Sequence, residues 1–575
     1  MGYSSRPSNP ASRTSKVKVH ELPTQTPSTA ASAGGGTASR RRARRHPRTP
    51  FDPVPYEREL VSIIDAIEAS PELSSRGLDG ILRLYPRDGT GFFSRAQVIA
   101  GYRAFRARQH WKLDESTFLS RLRLRPVRTL SGVTPVTVLT KPFPCPGKCI
   151  FCPSDVRMPK SYLADEPGAQ RADANDFDPY SQTWSRLEAY RCIGHPVDKV
   201  EMIVLGGTWS FYPEPYQVWF VKRCFDALND FGRGVDRRGA AQSAAPAFRD
   251  VAARVDGRAP ADTYNQIVRG VLQSEHAGEL LGDAEAADWS ALEAAHRENE
   301  TAVVRSVGFS VETRPDHVTA DEVCRIRRLG VTKVQIGIQH LSDAILTANR
   351  RGHDVATTRA ALRLLRGAGF KIHAHWMPNL LGATPERDTA GFAELFEDAD
   401  FRPDELKVYP CSLVESAELM GSYLRGEWRP YDEEELVGVL TSALAATPRY
   451  CRLTRVIRDF SADDIVAGNK IANLREVAEQ RLREAGGVCE DIRAREIRAA
   501  KFDPDSLVLE ELGYRTSLGR EVFLQFVAEG DRLVAFLRLS LPDAANASAP
   551  IAELDGSAIL REVHVYGASL ELGRR

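Results

Sequence analysis

Six short apolar runs separated by helical stretches constrain this chain more than any other feature. VTPVTVLT, VEMIVLGG, VRSVGFSVET, VTKVQIGIQ, FKIHAHWM and ELKVYP follow one another between residues 133 and 410. All are of strand length, and most are rich in the β-branched residues that strands favour. Between them lie segments such as DEVCRIRRLG and ATTRAALRLLRGAG, whose apolar groups recur at helical spacing. Apolar strands joined by helical crossovers form a parallel sheet covered on both faces. Six such units fit a partial (β/α)6 barrel better than an open sheet, with chemistry at the C-terminal strand ends. The expected class is therefore α/β, with the barrel over residues 129–430. Residues 232–300 are Ala- and Gly-rich and are expected to form an insertion or peripheral helices.

The loop after the first run reads CPGKCIFCPSD and places Cys145, Cys149 and Cys152 at C-x3-C-x2-C spacing. Thiolates are the ligands of iron–sulfur clusters. Three of them hold three irons of a [4Fe–4S] cube and leave the fourth open to a small molecule, which points to chemistry beyond electron storage. A structural zinc site wants four ligands, usually in two pairs, and no second pair follows at close range. Nine cysteines in a long chain without a recognisable signal peptide suggest a reducing, cytoplasmic setting rather than disulfides. Cys411 and Cys489 are too few to claim a further metal and read as buried free thiols. No apolar run is long enough to cross a bilayer.

The flanks differ in character. Residues 1–50 hold ten Lys or Arg and one acid, Glu21, among Ser, Thr, Ala, Pro and Gly. Such a segment cannot offset its ordering entropy and is expected to be a disordered basic tail. Formal charge over the whole chain is zero, so the remainder is net acidic and a nucleic-acid partner would need local patches. Residues 51–128 read as helical. They include Arg103, Arg106, Arg108, Lys112, Arg121, Arg123, Arg125 and Arg128, either an RNA-backbone surface or a solvated face. Residues 431–502 read as a helical linker. Strand-like runs return in 503–575: EVFLQFVAEG, RLVAFLRLSL and SAILREVHVYG.

CPGKCIFCPSD, RMPKSY, GHPVDKVEMIVLGGTW, GFSVETRPD, VQIGIQ with NRRGH, and REVHVYG occur in this order. Together, from about Tyr56 to Gly567, they resemble the catalytic subunit of Elongator in its bacterial and archaeal forms. That family joins a radical S-adenosylmethionine domain to a GNAT-type acetyltransferase domain and modifies the wobble uridine of tRNA.

The resemblance implies a [4Fe–4S] cluster on Cys145, Cys149 and Cys152. It places Phe151 near the adenine of S-adenosylmethionine and Gly206 and Gly207 where backbone approaches its methionine part. Lys199 and the strand Glu562, Val563, His564 and Val565 match positions that meet acetyl-CoA. Read alone, Lys199 is a solvated residue at a strand start, and His564 faces away from its two valine neighbours. Thr313, Arg314 and Asp316 end a strand at the presumed active face, to contact cofactor or substrate or to cap the loop. Arg350, Arg351, Arg449, Arg452, Arg455 and Arg458 are further cations around the mouth and linker. The implied partners are a tRNA anticodon stem-loop and a reducing protein donor. The implied product is 5-carboxymethyluridine, made from an acetyl group by a 5′-deoxyadenosyl radical. One departure stands out. The family's pyrophosphate turn, QHxGxG at a helix start, is expected after HVYG, and here ASLELGRR follows, so the GNAT-like domain reads as truncated. Half a GNAT sheet is expected to leave one apolar face uncovered and an edge open.

Overall fold

The computed structural model describes residues 51–71, 73–123, 129, 131–240, 261–276, 278–498, 500–546 and 548–567. The expectations for the tail 1–50, for Arg125 and Arg128, and for ASLELGRR lie outside those residues.

The central sheet contains β1 (Val133–Leu139), β2 (Lys199–Leu205), β3 (Arg305–Thr313), β4 (Lys333–Gln339), β5 (Lys371–Trp376) and β6 (Glu405–Val408). After β7 (Leu413–Val414) it gains β8 (Arg452–Arg455), and β7 pairs instead with β9 (Ile465–Ala467). Order along the sheet is β1-β2-β3-β4-β5-β6-β8, all parallel. Its strands curl around a shared cavity as a partial barrel. One face carries Val200, Met202, Val204, Val334, Ile336 and Ile372, fully buried in the main core. Burial of such a side chain contributes ~1.5–3 kcal/mol, so this outer face holds the barrel together. The inner face is polar: Glu201, Lys333, Gln335, His373, His375, Glu405 and Lys407 line the cavity.

Two expectations change. Among the described residues the barrel has seven strands, not six, and the seventh comes from the stretch read as a helical linker. RLTR is four residues long with charged ends, so no apolar run announces it. It is held by pairing with β6 and by Asp491, whose carboxylate accepts from the Leu453 amide at 2.9 Å. The segment within 232–300 is also not peripheral. Its helix Ala261–Glu275 buries Tyr264, Val268 and Leu272 in the main core.

The expected helical region is present ahead of the barrel, as helices Glu57–Glu68, Ser75–Leu84, Arg95–Phe105 and Glu115–Leu122. Ser74, Ser94 and Asp114 cap three of them at their N-termini.

At the C-terminal end, β10 (Val508–Arg515), β11 (Gly519–Ala528), β12 (Arg532–Pro542) and β13 (Ile559–Val565) form an antiparallel meander. One face docks on the barrel through Tyr514, stacked on Tyr450 at 3.9 Å, and through a buried charge cluster. Asp404 accepts from Arg561 Nη1 at 3.1 Å and lies 3.3 Å from Arg538 Nε; Glu521 pairs with Arg561 at 3.0 Å and Arg366 at 3.6 Å. The other face leaves Leu509, Phe526, Leu560, Val563 and Val565 exposed.

Candidate active site

The cysteine loop begins where β1 ends. Cys149 is buried, Cys145 and Cys152 are half-buried, and all three thiols are free. All three line one cavity of about 1000 Å³. Each sulfur has its own polar neighbour. Cys145 Sγ lies 3.9 Å from Thr208 Oγ1, just past the Gly206–Gly207 pair, and Cys152 Sγ lies 3.1 Å from Ser161 Oγ. Cys149 Sγ accepts from Arg351 Nη1 at 3.2 Å and Arg314 Nη1 at 3.6 Å. The hydrogen bond from Cys152, then the two guanidiniums, hold the Cys149 thiol well below its ordinary value despite burial. Among the described residues no three such groups converge as around a single metal ion. The three thiols share one cavity, with Cys152 hydrogen-bonded to Cys149.

Phe151 is buried in the same cluster as Cys149 and lines the cavity. The glycine pair divides its work. A Cβ on Gly206 would collide with Thr140 Oγ1, so that glycine is needed for strand packing. A Cβ on Gly207 would meet nothing within 4 Å, and Gly207 faces the cavity, where the backbone is open to a ligand. Thr313 bonds Ser210 Oγ at 2.7 Å, and Arg314 is clamped by Asp316.

The cavity extends through the barrel to the C-terminal sheet, where His564, Tyr566 and Gly567 line it. Glu562 and His564 face the barrel, while Val563 and Val565 point to the opposite, exposed side. Burial puts the His564 imidazole down at about 4, so it is neutral at pH 7. Lys199 starts β2 opposite Val133 and Arg305, on the face of Glu201, at the end of the strand away from the cysteines. Between the two ends a ladder of charge crosses the lumen. Lys333 pairs with Glu201 and Glu405, and Lys371 with Glu405 and Glu562. Burial opposes the Lys371 charge, but Glu405 and Glu562 outweigh it and raise its pKa. His375 reaches Glu312 at 3.6 Å and Gln335 at 3.3 Å, and burial holds it neutral, well below the usual imidazole range.

Several expected cations are used internally. Arg121 donates to the carbonyls of Ile67 and Ser70, and Arg123 to that of Gly194. Arg103 and Arg106 pair with Glu115, and Arg108 with Glu57; Lys112 is exposed. Around the barrel, Arg350 pairs with Glu418, Arg449 with Asp531, Arg452 with Glu496, Arg455 with Asp459 and Arg458 with Glu166. Cys411 and Cys489 belong to separate apolar clusters, and burial pushes both thiols up to about 12.

Sequence reasoning missed Asn265. Its side chain accepts from the Cys145 amide at 2.9 Å and donates to the Cys145 carbonyl at 3.0 Å, while Tyr264 donates to Met158 O at 2.8 Å. An Ala-rich surrounding hid it. Asn265→Ala removes both clamps, and iron retention against a chelator is expected to weaken roughly 10–100-fold with secondary structure unchanged. The lumen ladder did leave a signal: polar residues alternate inside HAHWM and VTKVQIGIQ, the period of one strand face.

A partial parallel barrel with three cysteines after its first strand defines a radical S-adenosylmethionine protein. The Radical SAM superfamily signature matches residues 266–393, and the Radical_SAM C-terminal domain matches 403–484. The chain is 34% identical to the tRNA uridine(34) acetyltransferase of Methanocaldococcus infernus, over 86% of this chain and 82% of that protein. It is 37% identical to that of Dehalococcoides mccartyi, over 78% and 86%. The solved archaeal M. infernus Elp3 with an N-terminal deletion superposes with a TM-score of 0.59 at 32% identity, over 78% of this chain and 86% of that one. The chain belongs to the tRNA uridine(34) acetyltransferase and Elongator complex protein 3 family. The donor set fits the cofactors of this class: three free thiols in one cavity, each with a polar neighbour, beside an unobstructed glycine backbone. Among the described residues no helix is long and apolar enough to cross a membrane.

Proposed function

We propose that this chain modifies the wobble uridine of tRNA, using S-adenosylmethionine and acetyl-CoA to form 5-carboxymethyluridine. The observation that carries this reading is the continuous cavity from the cysteine loop to the strand REVHVYG, which gives a radical source and an acyl donor one shared space. Cys145, Cys149 and Cys152 would hold a [4Fe–4S] cluster with S-adenosylmethionine at its open iron, and that group would supply the radical chemistry needed to activate an acetyl methyl group. The chain's own residues do the rest. Gly207 leaves room for the amino-acid part of S-adenosylmethionine, and Phe151 walls its adenine. Lys199, Glu562 and His564 meet the acetyl-CoA end from the barrel side; Val563 and Val565 reach it through strand backbone alone. Tyr162, Tyr409 and Phe460 line the cavity and offer faces on which a splayed uracil stacks. Exposed Lys112, Arg103, Arg106 and Arg108 meet the RNA backbone of the anticodon stem-loop, and a low-potential protein supplies electrons.

The test is anaerobic reconstitution followed by assay with dithionite, S-adenosylmethionine, acetyl-CoA and tRNA. Deoxyadenosine is expected to form with acetyl-CoA present, and mass spectrometry is expected to find carboxymethyluridine at the wobble position. Deoxyadenosine formed equally without acetyl-CoA, with no acetyl carbon in the RNA, would point to a different RNA-modifying radical enzyme. Retention of tRNA with no deoxyadenosine would leave only a binding module.

A further inference from the structure

We propose that Arg314 is a positioning residue that sets how readily the cluster accepts an electron, by holding a cationic donor on one cluster thiolate. The proposal rests on reading the three thiols as cluster ligands. Arg314 is 6% exposed, and its guanidinium is fixed on three sides. Nε and Nη2 donate to the two oxygens of Asp316 at 2.9 and 2.8 Å. Nη2 also donates to the carbonyl of Arg351 at 2.5 Å. That leaves Nη1 aimed at Cys149 Sγ, 3.6 Å away.

The cysteine loop is shaped around this group. A Cβ at Gly147 would fall on Arg314 Nη1, and the backbone of Gly147 is not in the left-handed region. The glycine of CPGKC therefore serves space, not backbone freedom. Its missing side chain is the slot through which Arg314 reaches the sulfur. Arg351 approaches the same sulfur at 3.2 Å, anchored by its Nη2 on the Gly337 carbonyl.

The charge balance gives this geometry a consequence. Among the described residues, Arg314 pairs with one partly exposed carboxylate, Asp316, and the buried Arg351 has no carboxylate within ion-pair distance. Buried charge without a counter-charge is costly. A cube with three thiolate ligands carries net negative charge, and one-electron reduction adds another unit without breaking a bond. Cations held on a ligand sulfur stabilise the reduced form more than the oxidised one. Hydrogen bonds to the sulfurs and local charge are among the quantities that set such potentials. Arg314 thus eases electron uptake from a low-potential one-electron donor.

The experiment uses the full chain, reconstituted anaerobically without S-adenosylmethionine. Its reduced-cluster electron paramagnetic resonance signal is titrated with dithionite and mediators. Arg314→Gln is expected to lower the reduction equilibrium about tenfold, a midpoint ~59 mV more negative for one electron. Arg314→Lys, which keeps the charge, should recover most of that shift. Gly147→Ala, which keeps the guanidinium but displaces it, should move the midpoint in the same direction as Arg314→Gln. A wild-type midpoint in an iron-replete Arg314→Gln protein overturns the proposal. If that variant takes up no iron, a wild-type midpoint in Gly147→Ala overturns it instead. Failure of the unmodified chain to take up iron would sink the cluster reading itself, a result distinct from either.

Discussion

Cys145→Ala is expected to yield a folded protein that takes up no stable four-iron cluster and releases no deoxyadenosine, a loss of roughly 10³-fold or more in turnover. Cys145 is the most informative of the three thiols to remove. It is half-buried, so truncation leaves a small cavity rather than an orphaned charge. Its Sγ makes one long contact, to Thr208 at 3.9 Å, and its bonds to Asn265 use backbone atoms that alanine keeps. Cys149→Ala would be a poorer test, because it strips the acceptor from two buried guanidiniums. Iron and sulfide content, visible absorbance and far-ultraviolet circular dichroism separate loss of ligand from loss of fold. A Cys145→Ala protein that keeps four irons and forms deoxyadenosine would refute the assignment of the loop.

The second large effect concerns stability. Asp404→Asn is expected to destabilise the docking of the C-terminal sheet by ~3–5 kcal/mol, because it removes the countercharge from guanidiniums that have no water to turn to. Asp404 is fully buried and faces Arg561 and Arg538. Burial disfavours its charged form, yet Arg561, Arg538 and Arg366 hold the carboxyl well below the usual range. Folding therefore favours the ionised form. Its contribution is complete above the unfolded carboxyl value of about 4 and is lost as acid lowers the pH through the folded value. Thermal melts of the wild type should show a lower midpoint below about pH 4, with Asp404→Asn lower at pH 7 and flatter on acidification. Equal melting of the two proteins at pH 7 would contradict this account.

How much of this was visible in the residues follows from what each segment had to bury. The first six barrel strands could be read because one face of each is buried in the core and carries mostly apolar residues. β8 escaped because RLTR is short and its ends carry charge, and its place is fixed by β6 and Asp491, contacts made across the chain. The cysteine loop was legible because its spacing is local. Asn265 was not, since its role depends on a helix 120 residues away in sequence reaching the loop. Arg314 was seen as a strand-end residue with an open role; only the empty slot at Gly147 shows where its guanidinium goes. The REVHV strand was placed correctly as a unit, but alternation alone could not say which of its faces met the barrel.

The charged ladder across the lumen carries one more implication. Lys333 and Lys371 with their three glutamates occupy ground that a plug of leucine and valine could fill, and such apolar replacements of buried ion pairs are often neutral or stabilising. The barrel thus forgoes a drier, sturdier middle. What it keeps is a polar bore running from the cysteine loop to the C-terminal sheet, at the expense of resistance to unfolding.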